Sequence, residues 1–262
     1  MRRARIRRRL WLYVWLWLAV PPAFGFDEEK LLDLTYPFDE NTVYWPTSLP
    51  FRLETVHEGK TAGGFYYAAK NFCAAEHGGT HMDAPAHFAR GKRTAGEIPL
   101  RLLVGPAVVV DVRKKAEENP DYALRVEDLL GWEEQHGRIP RGAVVLLSSG
   151  WGSRWPDRAR YLGSAEPGDT KNLHFPGFSV EAARWLVRER DIDAVGVDTA
   201  SVDPGPSRDF PAHRVFAEAE KPVFENVANV DRLPPRGALF LAFPMKIREG
   251  TGAPARIVAL LP

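Results

Sequence analysis

The sequence predicts an α/β protein, a mixed sheet with flanking helices, in one domain over residues 26–262. Three observations lead there. Short branched apolar runs, Val108 to Val112, Ala143 to Ser148 and Ala194 to Asp198, read as strands closed by polar or glycine-rich turns. Helix-spaced segments lie between the strands, and no internal repeat or low-complexity linker divides the chain. A hydrophobic content of 45% over 262 residues is enough to bury a sizeable core without further support.

The head of the chain stands apart from this domain. Arg2, Arg3, Arg5, Arg7, Arg8 and Arg9 precede an apolar run from Leu10 to Val20, followed by Pro21, Pro22, Ala23 and Gly25. This is the layout of an export signal spanning residues 1–25, with cleavage expected after Gly25. The run is well short of the roughly 20 apolar residues of a spanning helix, so no stable membrane insertion is expected after cleavage. Paired arginines ahead of it fit a twin-arginine signal, and the expected location is periplasmic or secreted. The formal charge of +1 comes from 35 basic and 34 acidic residues; without the six head arginines, 29 face 34, a balance of −5. That leaves no basic surface for nucleic acid. Cys73 is the only cysteine, so no intramolecular disulfide forms, and it reads as a small buried filler near His77.

Taken in order, LLDLTYPFDENTVYWP reads as a short strand running into a loop that ends at Trp45-Pro46 near a pocket. The branched runs are apolar almost without interruption, which predicts burial on both faces of the sheet. Lys114 to Ala123 and Ser153 to Asn172, charged and rich in Gly, Pro and Asp, read as surface loops. Val126, Leu129, Leu130 and Glu133 mark one helix; Ser179 caps a second, VEAARWLVRER, with Ala182, Trp185 and Leu186 on its apolar side. ALFLAFPMKI and ARIVALLP read as two final strands, separated by a turn around Gly250 and Gly252 and able to pair as a hairpin.

The chemistry concentrates in HGGTHMDAPAHF, His77 to Phe88. His77, His81, Asp83 and His87 share odd parity, so an extended chain projects all four to one face. A helix is ruled out by Gly78-Gly79 at one end and Pro85 at the other. Full extension fails too, because it would separate His77 from Asp83 by about 20 Å. The chain must fold back, and Gly78 and Gly79 can take the positive φ that this needs. Two imidazoles and a carboxylate suit Zn²⁺, Mn²⁺ or Fe²⁺ and leave positions open for water and substrate. A lone histidine is usually an ordinary hydrogen-bonded polar residue; four potential ligands within eleven residues favour a metal.

This segment matches in full the pattern H-x-G-T-H-x-D-x-P-x-H-F and so resembles the cyclase family of metal-dependent hydrolases, to which kynurenine formamidases and isatin hydrolases belong. His213 in FPAHRVF and Glu225 in VFENVAN are similar to a second ligand pair of that family, and Trp45-Pro46 resembles its substrate-side tryptophan. From the residues alone, His213 would read as a helix-start histidine and Glu225 as a surface acid. The resemblance implies a swivelling β/β/α domain and a divalent metal, Zn²⁺ or Mn²⁺, as one or two ions. It assigns His77, His81 and Asp83 to a first ion, Asp83 bridging to a second held by His213, and Glu225 touching both. His87 is left free as proton donor and acceptor. The resemblance also implies a homo-oligomer, with aromatic loop residues entering a neighbour's site.

The expected activity is hydrolysis of a small aromatic amide by metal-activated water, with His87 carrying the proton to the departing aryl nitrogen. Trp45, Tyr44, Phe65 or Tyr66 can supply the flat apolar wall, Trp45 first. N-formylkynurenine and isatin are both aryl amides opened by the same attack, so the chemistry does not separate them. Two rival readings are an exported, non-catalytic binder of a metal or small acid, which would have no use for a free His87, and a metal-assisted lactone hydrolase or dehydratase.

Overall fold

In a computed structural model of the chain, residues 27–262 are described; the expected export segment, residues 1–25, lies outside them. The elements run β1 (Leu31–Asp33), β2 (Arg52–Lys60), β3 (Tyr66–Cys73), β4 (His81–Asp83), β5 (Val104–Asp111), α1 (Arg113–Glu118), β6 (Ala123–Leu124), α2 (Val126–His136) and β7 (Val144–Ser148). Then follow α3 (Arg158–Leu162), β8 (Gly177–Phe178), α4 (Val180–Trp185), β9 (Ala194–Val197), α5 (Pro211–Glu218), β10 (Val223–Glu225), β11 (Arg236–Pro244) and β12 (Gly252–Leu260). Eight strands form one sheet in the order β1-β12-β11-β5-β7-β9-β10-β4, and β4 pairs with β12 as well. Seven strands therefore close into a barrel, with β1 attached outside the ring. β5, β7, β9 and β10 run parallel, whereas β11, β12 and β4 are antiparallel to their neighbours, so the sheet is mixed as expected.

The alternation of side chains explains the unbroken apolar runs. Val109, Val144, Leu146 and Ala194 point into the barrel with Met82, Phe224 and Phe240. Their neighbours Val108, Val110, Val145, Leu147, Val195 and Val197 point outward, against Leu129 and Trp132 of α2, Ala182 and Ala183 of α4, and Phe216 of α5. Both faces are buried, and alternation of polar with apolar residues has no place in such strands. The Trp132 indole donates to the Val109 carbonyl at 2.9 Å, which satisfies the polar atom buried there.

The helix over VEAARWLVRER forms where Ser179 predicts it, with the Ser179 hydroxyl accepting from the Ala182 N–H at 3.1 Å; its last turn, Leu186–Arg190, widens into a π-turn. β11 and β12 pair antiparallel as expected. Three expectations need correction. The segment from Lys114 to Ala123 carries most of α1, which buries only Ala116, and one apolar contact leaves no periodicity to read. The loop from Ser153 to Asn172 contains the short helix α3, capped by Asp157, which buries Tyr161 and Leu162. Cys73 is exposed: it ends β3, and β2 and β3 form a two-stranded hairpin that pairs only with itself. Leu53, Val56, Tyr66 and Phe72 lie on both faces of that hairpin and are all exposed.

Candidate metal centre and active site

β4 is the strand that closes the barrel, between β10 and β12. His81 and Asp83, two residues apart, project from the same face of it. Glu225 of β10 lies directly across from His81 in the ladder, so one strand pair supplies three ligand-type side chains. His213 arrives from the first turn of α5. His77 precedes a sharp bend at Gly79, whose φ of 57° suits glycine, and its ring packs against Gly252. A β-carbon on Gly252 would fall 2.7 Å from His77 Nδ1, so the close approach of β12 to the ring requires glycine there.

These five side chains converge. His77 Nδ1 is 2.6 Å and His81 Nε2 3.1 Å from Asp83 Oδ1, while His213 Nε2 is 3.1 Å from Asp83 Oδ2. Glu225 spans the same two positions, with Oε2 3.6 Å from His81 Nε2 and Oε1 3.0 Å from His213 Nε2. The far nitrogen of each ring is engaged elsewhere: His77 Nε2 with the Thr251 hydroxyl at 2.9 Å, His81 Nδ1 with the Gly79 carbonyl at 3.0 Å, and His213 Nδ1 with Asp203 Oδ2 at 2.7 Å. Assigned from that network, the protons sit on the outer nitrogens and the lone pairs face inward. Three inward lone pairs then meet two buried carboxylates, an arrangement that needs positive charge between them. His81 Nε2 is fully buried with no hydrogen-bond partner, as a metal-ligating nitrogen would be without its ion. The donor set therefore fits a divalent cation.

The electrostatics say the same. Burial opposes charge on His81 and His213, yet Asp83 and Glu225, with Asp203 on His213, outweigh it and raise both imidazoles above their ordinary range. Burial would raise Asp83, but His77, His213 and His81 hold it well below the usual carboxylate range. Burial and the neighbouring Asp83 push Glu225 up. His87, by contrast, makes no hydrogen bond in the site, though one of its ring nitrogens lies within 4.8 Å of ligand atoms on His77 and Asp83: its ring stacks on His77 at 3.8 Å, and desolvation pushes its pKa down to about 4. It is neutral at pH 7, with a nitrogen free to accept a proton.

A cavity of about 240 Å³ opens onto the cluster. It is smaller than pockets for drug-sized ligands, which begin near roughly 300 Å³, and suits a molecule of one or two rings. Trp45 lines it together with Tyr44, Phe88 and Phe210. Burial pushes the Tyr44 hydroxyl up to about 12. Phe65 and Tyr66 do not line it; both are exposed at the β2–β3 hairpin. A wider groove of about 620 Å³, bordered by α4 and α5, contains none of the five clustered side chains.

Several supporting residues escape sequence reasoning. Asp203, wholly buried, accepts from the N–H groups of Ala212 and His213 at 2.8 and 3.0 Å as well as from the His213 ring, so it caps α5 and aims the imidazole together. Asn226 donates to the Gly79 carbonyl at 2.7 Å and accepts from the Tyr161 hydroxyl at 2.9 Å, which fixes the acceptor of His81. Glu76 accepts from the Thr251 hydroxyl at 2.8 Å behind His77. Phe210 enters α5 in the left-handed region at φ 49° and ψ 54°, a conformation that costs a bulky residue about 1–3 kcal/mol. The only sequence signal for any of them is the Asp-Pro step at Asp203, in a turn ten residues before His213.

Residues 32–204 match the Cyclase family. The chain is similar to an isatin hydrolase of Roseibium aggregatum, 32% identical over 207 residues that cover 76% of this chain and 77% of that protein. A kynurenine formamidase of Bacillus cereus is 26% identical over 232 residues, 87% of this chain and 95% of the relative. Among solved structures, isatin hydrolase A from Ralstonia solanacearum superposes with a TM-score of 0.80 at 36% identity, covering 88% of this chain and 92% of that one. A full match to the twelve-residue ligand motif, a barrel that folds it around one centre and relatives of this similarity agree, and the chain belongs to the Cyclase family.

Proposed function

We propose that the protein is a metal-dependent hydrolase that opens the C–N bond of a small aryl amide, as the names of its isatin hydrolase and kynurenine formamidase relatives describe for those proteins. The observation that carries this reading is the buried convergence of His77, His81, Asp83, His213 and Glu225 beside an unengaged His87. Those five side chains would hold a divalent ion, Zn²⁺ or Mn²⁺, which would lower the pKa of a water toward neutrality and polarise a carbonyl. Asp83 and Glu225 each present their two oxygens to different histidines, which supports room for one ion or two. His87 takes the proton as the water oxygen bonds to the amide carbon and returns it to the aryl nitrogen as the C–N bond breaks. Trp45 and its aromatic neighbours hold the aryl ring and exclude water from it.

Isatin is the first substrate to try, because the isatin hydrolases share more of the sequence than the formamidases do. Purified protein loaded with Zn²⁺ or Mn²⁺ is screened against isatin, N-formylkynurenine and simple lactones, with metal content measured in parallel. Turnover of an aryl amide, abolished by chelation and restored by metal, is the expected result. Bound metal with no turnover of any of them would instead favour a binding protein.

The same reading extends to organisation. A closed mixed barrel with helices packed on its outer face supports the swivelling β/β/α type. The reading includes an export signal over 1–25 ahead of one catalytic domain, 26–262, and with it a periplasmic or secreted location; its support is the arginine-rich head and the apolar run that follows. Among the described residues no helix is long and apolar enough to cross a membrane. Homo-oligomerisation is supported by the β2–β3 hairpin, whose exposed apolar side chains lie on both faces. Sedimentation of the protein as a monomer at micromolar concentration would remove that part of the proposal.

A further inference from the structure

We propose that Phe210 determines specificity for flat aromatic substrates, its ring held at the cavity by a strained backbone at the start of α5. The inference rests on the aryl-amide reading above. Five non-glycine residues among those described have positive φ: Asp191, Phe210, Glu220, Asn226 and Asn229. Asp and Asn tolerate this region because their short polar side chains bond locally, whereas a phenylalanine gains nothing there from its own backbone. Phe210 also precedes Pro211, a position that restricts the backbone further.

Two ordinary structural reasons for keeping the residue, a helix cap and a place in the core, are missing. The position opening a helix is usually extended, with a side chain that accepts from the first turn. Phe210 makes no such bond, because Asp203 supplies those acceptors from another loop. The ring is only half-buried and belongs to none of the three apolar clusters of the core. Glycine or asparagine would take the same φ and ψ at less cost. What the conformation does achieve is placement of the ring between the cluster and the aromatic wall: 5.9 Å from the His213 ring, 6.0 Å from Trp45 and 5.4 Å from Phe88. Phe210 and Trp45 meet at 63°, which presents two differently inclined aromatic surfaces to the cavity. A planar ring can lie on one and meet the other edge-on, so that its amide carbonyl is held toward His81 and Asp83. An aliphatic amide has no such plane to hold.

The test compares the metal-loaded wild type with Phe210→Ala, Phe210→Gly and Phe210→Tyr, using isatin and an N-formyl aliphatic amine, with thermal melts of each. In Phe210→Ala and Phe210→Gly, kcat/KM for isatin relative to the aliphatic amide is expected to fall about tenfold. The fall should appear in the isatin KM, with kcat within about twofold, and Phe210→Tyr should retain the wild-type ratio. Phe210→Gly should melt above Phe210→Ala, since glycine relieves a left-handed position that alanine does not. An unmoved ratio, an equal loss on both substrates, or a glycine variant melting below the alanine variant would overturn the inference. Wild-type failure on every aryl amide sinks the functional reading and this inference together, whereas a wild type active on isatin with an unmoved ratio sinks this inference alone.

Discussion

Replacing Asp203 by asparagine tests whether the barrel and the metal centre share one support. The carboxylate accepts three buried donors, the Ala212 N–H at 2.8 Å, the His213 N–H at 3.0 Å and His213 Nδ1 at 2.7 Å, the last two on the same oxygen. Asparagine is nearly isosteric but offers one accepting oxygen and one donating NH₂ group. Whichever way the amide turns, at least one N–H of α5 or of the His213 ring faces another donor. A buried donor left without a partner costs about 1–3 kcal/mol, and exchanging a charge-assisted bond for a neutral one costs about 1 more. A loss of roughly 2–4 kcal/mol lowers Tm by about 5–15 °C in a protein of this size. The same change frees the His213 ring to rotate or shift its proton, and loss of such a partner weakens metal binding by about 10–100-fold. Thermal melts with and without metal, with a competitive metal titration, read both effects. An Asp203→Asn protein with wild-type Tm and a metal Kd within twofold of wild type would refute the reasoning.

Further outcomes follow from the same geometry. His87→Ala should keep its metal and lose turnover by about 10²–10⁴-fold, whereas His81→Ala should lose both; full activity in the His87 variant would remove its proton-transfer role. Gly252→Ala drives a β-carbon to 2.7 Å from His77 Nδ1 and 2.8 Å from the Met82 carbonyl, so metal affinity should fall by tenfold or more at a stability cost of about 1–3 kcal/mol, and a crystal structure with the His77 ring unmoved would contradict this. Asp198 is buried, and that burial raises its pKa to about 6 although the Ser149 hydroxyl and the N–H groups of Ser149 and Trp151 hydrogen-bond to it. The folded state thus holds a proton that the unfolded chain releases near its ordinary value of 3.8. The stability from this group is present at low pH and is lost as pH rises from about 4 to about 6, a total near 3 kcal/mol. The difference in stability between wild type and Asp198→Asn, followed by denaturant unfolding, should therefore slope across that window and be flat above pH 7; a flat difference throughout would rule the shift out.

How far the sequence carries depends on how local the determining contacts are. β5, β7 and β9 were legible because strands buried on both faces leave unbroken branched runs, and α4 because Ser179 marks its start within three residues. His77, His81, Asp83 and His87 were legible for the same reason: four potential ligands fall within one short segment. The β2–β3 hairpin was not, since Leu53, Val56, Tyr66 and Phe72 are exposed on both faces and erase the alternation that marks a strand against a core. Cys73 ends the same hairpin, so it is exposed where its small apolar neighbours Ala74 and Ala75 suggest burial. Asp203 and Asn226 act through bonds to α5 and to the Gly79 carbonyl, and neither bond exists until distant elements meet.

Closure of the barrel is the least local feature, and it explains why fold and site are inseparable here. β4 has only three residues, too few to be stable by itself. It is held because Glu225 lies across from His81 on one side and Gly252 across from Asp83 on the other. The strand that completes the ring therefore carries two of the five proposed ligands, His81 and Asp83, and both of its neighbours touch the site, one through the Glu225 carboxylate and one through a glycine that makes room for His77. Two acidic side chains buried on that seam need positive charge between them, which the raised imidazoles of His81 and His213 supply when protonated and which a divalent cation would supply in their place. A cation held by the proposed ligands His77, His81, Asp83, His213 and Glu225 would tie β4 to β10 and α5 as well as to the ion. If those five side chains hold the cation, metal loading and the pairing of β4 with its two neighbours would be coupled, and substitutions on β4, β10 or β12 would act on both.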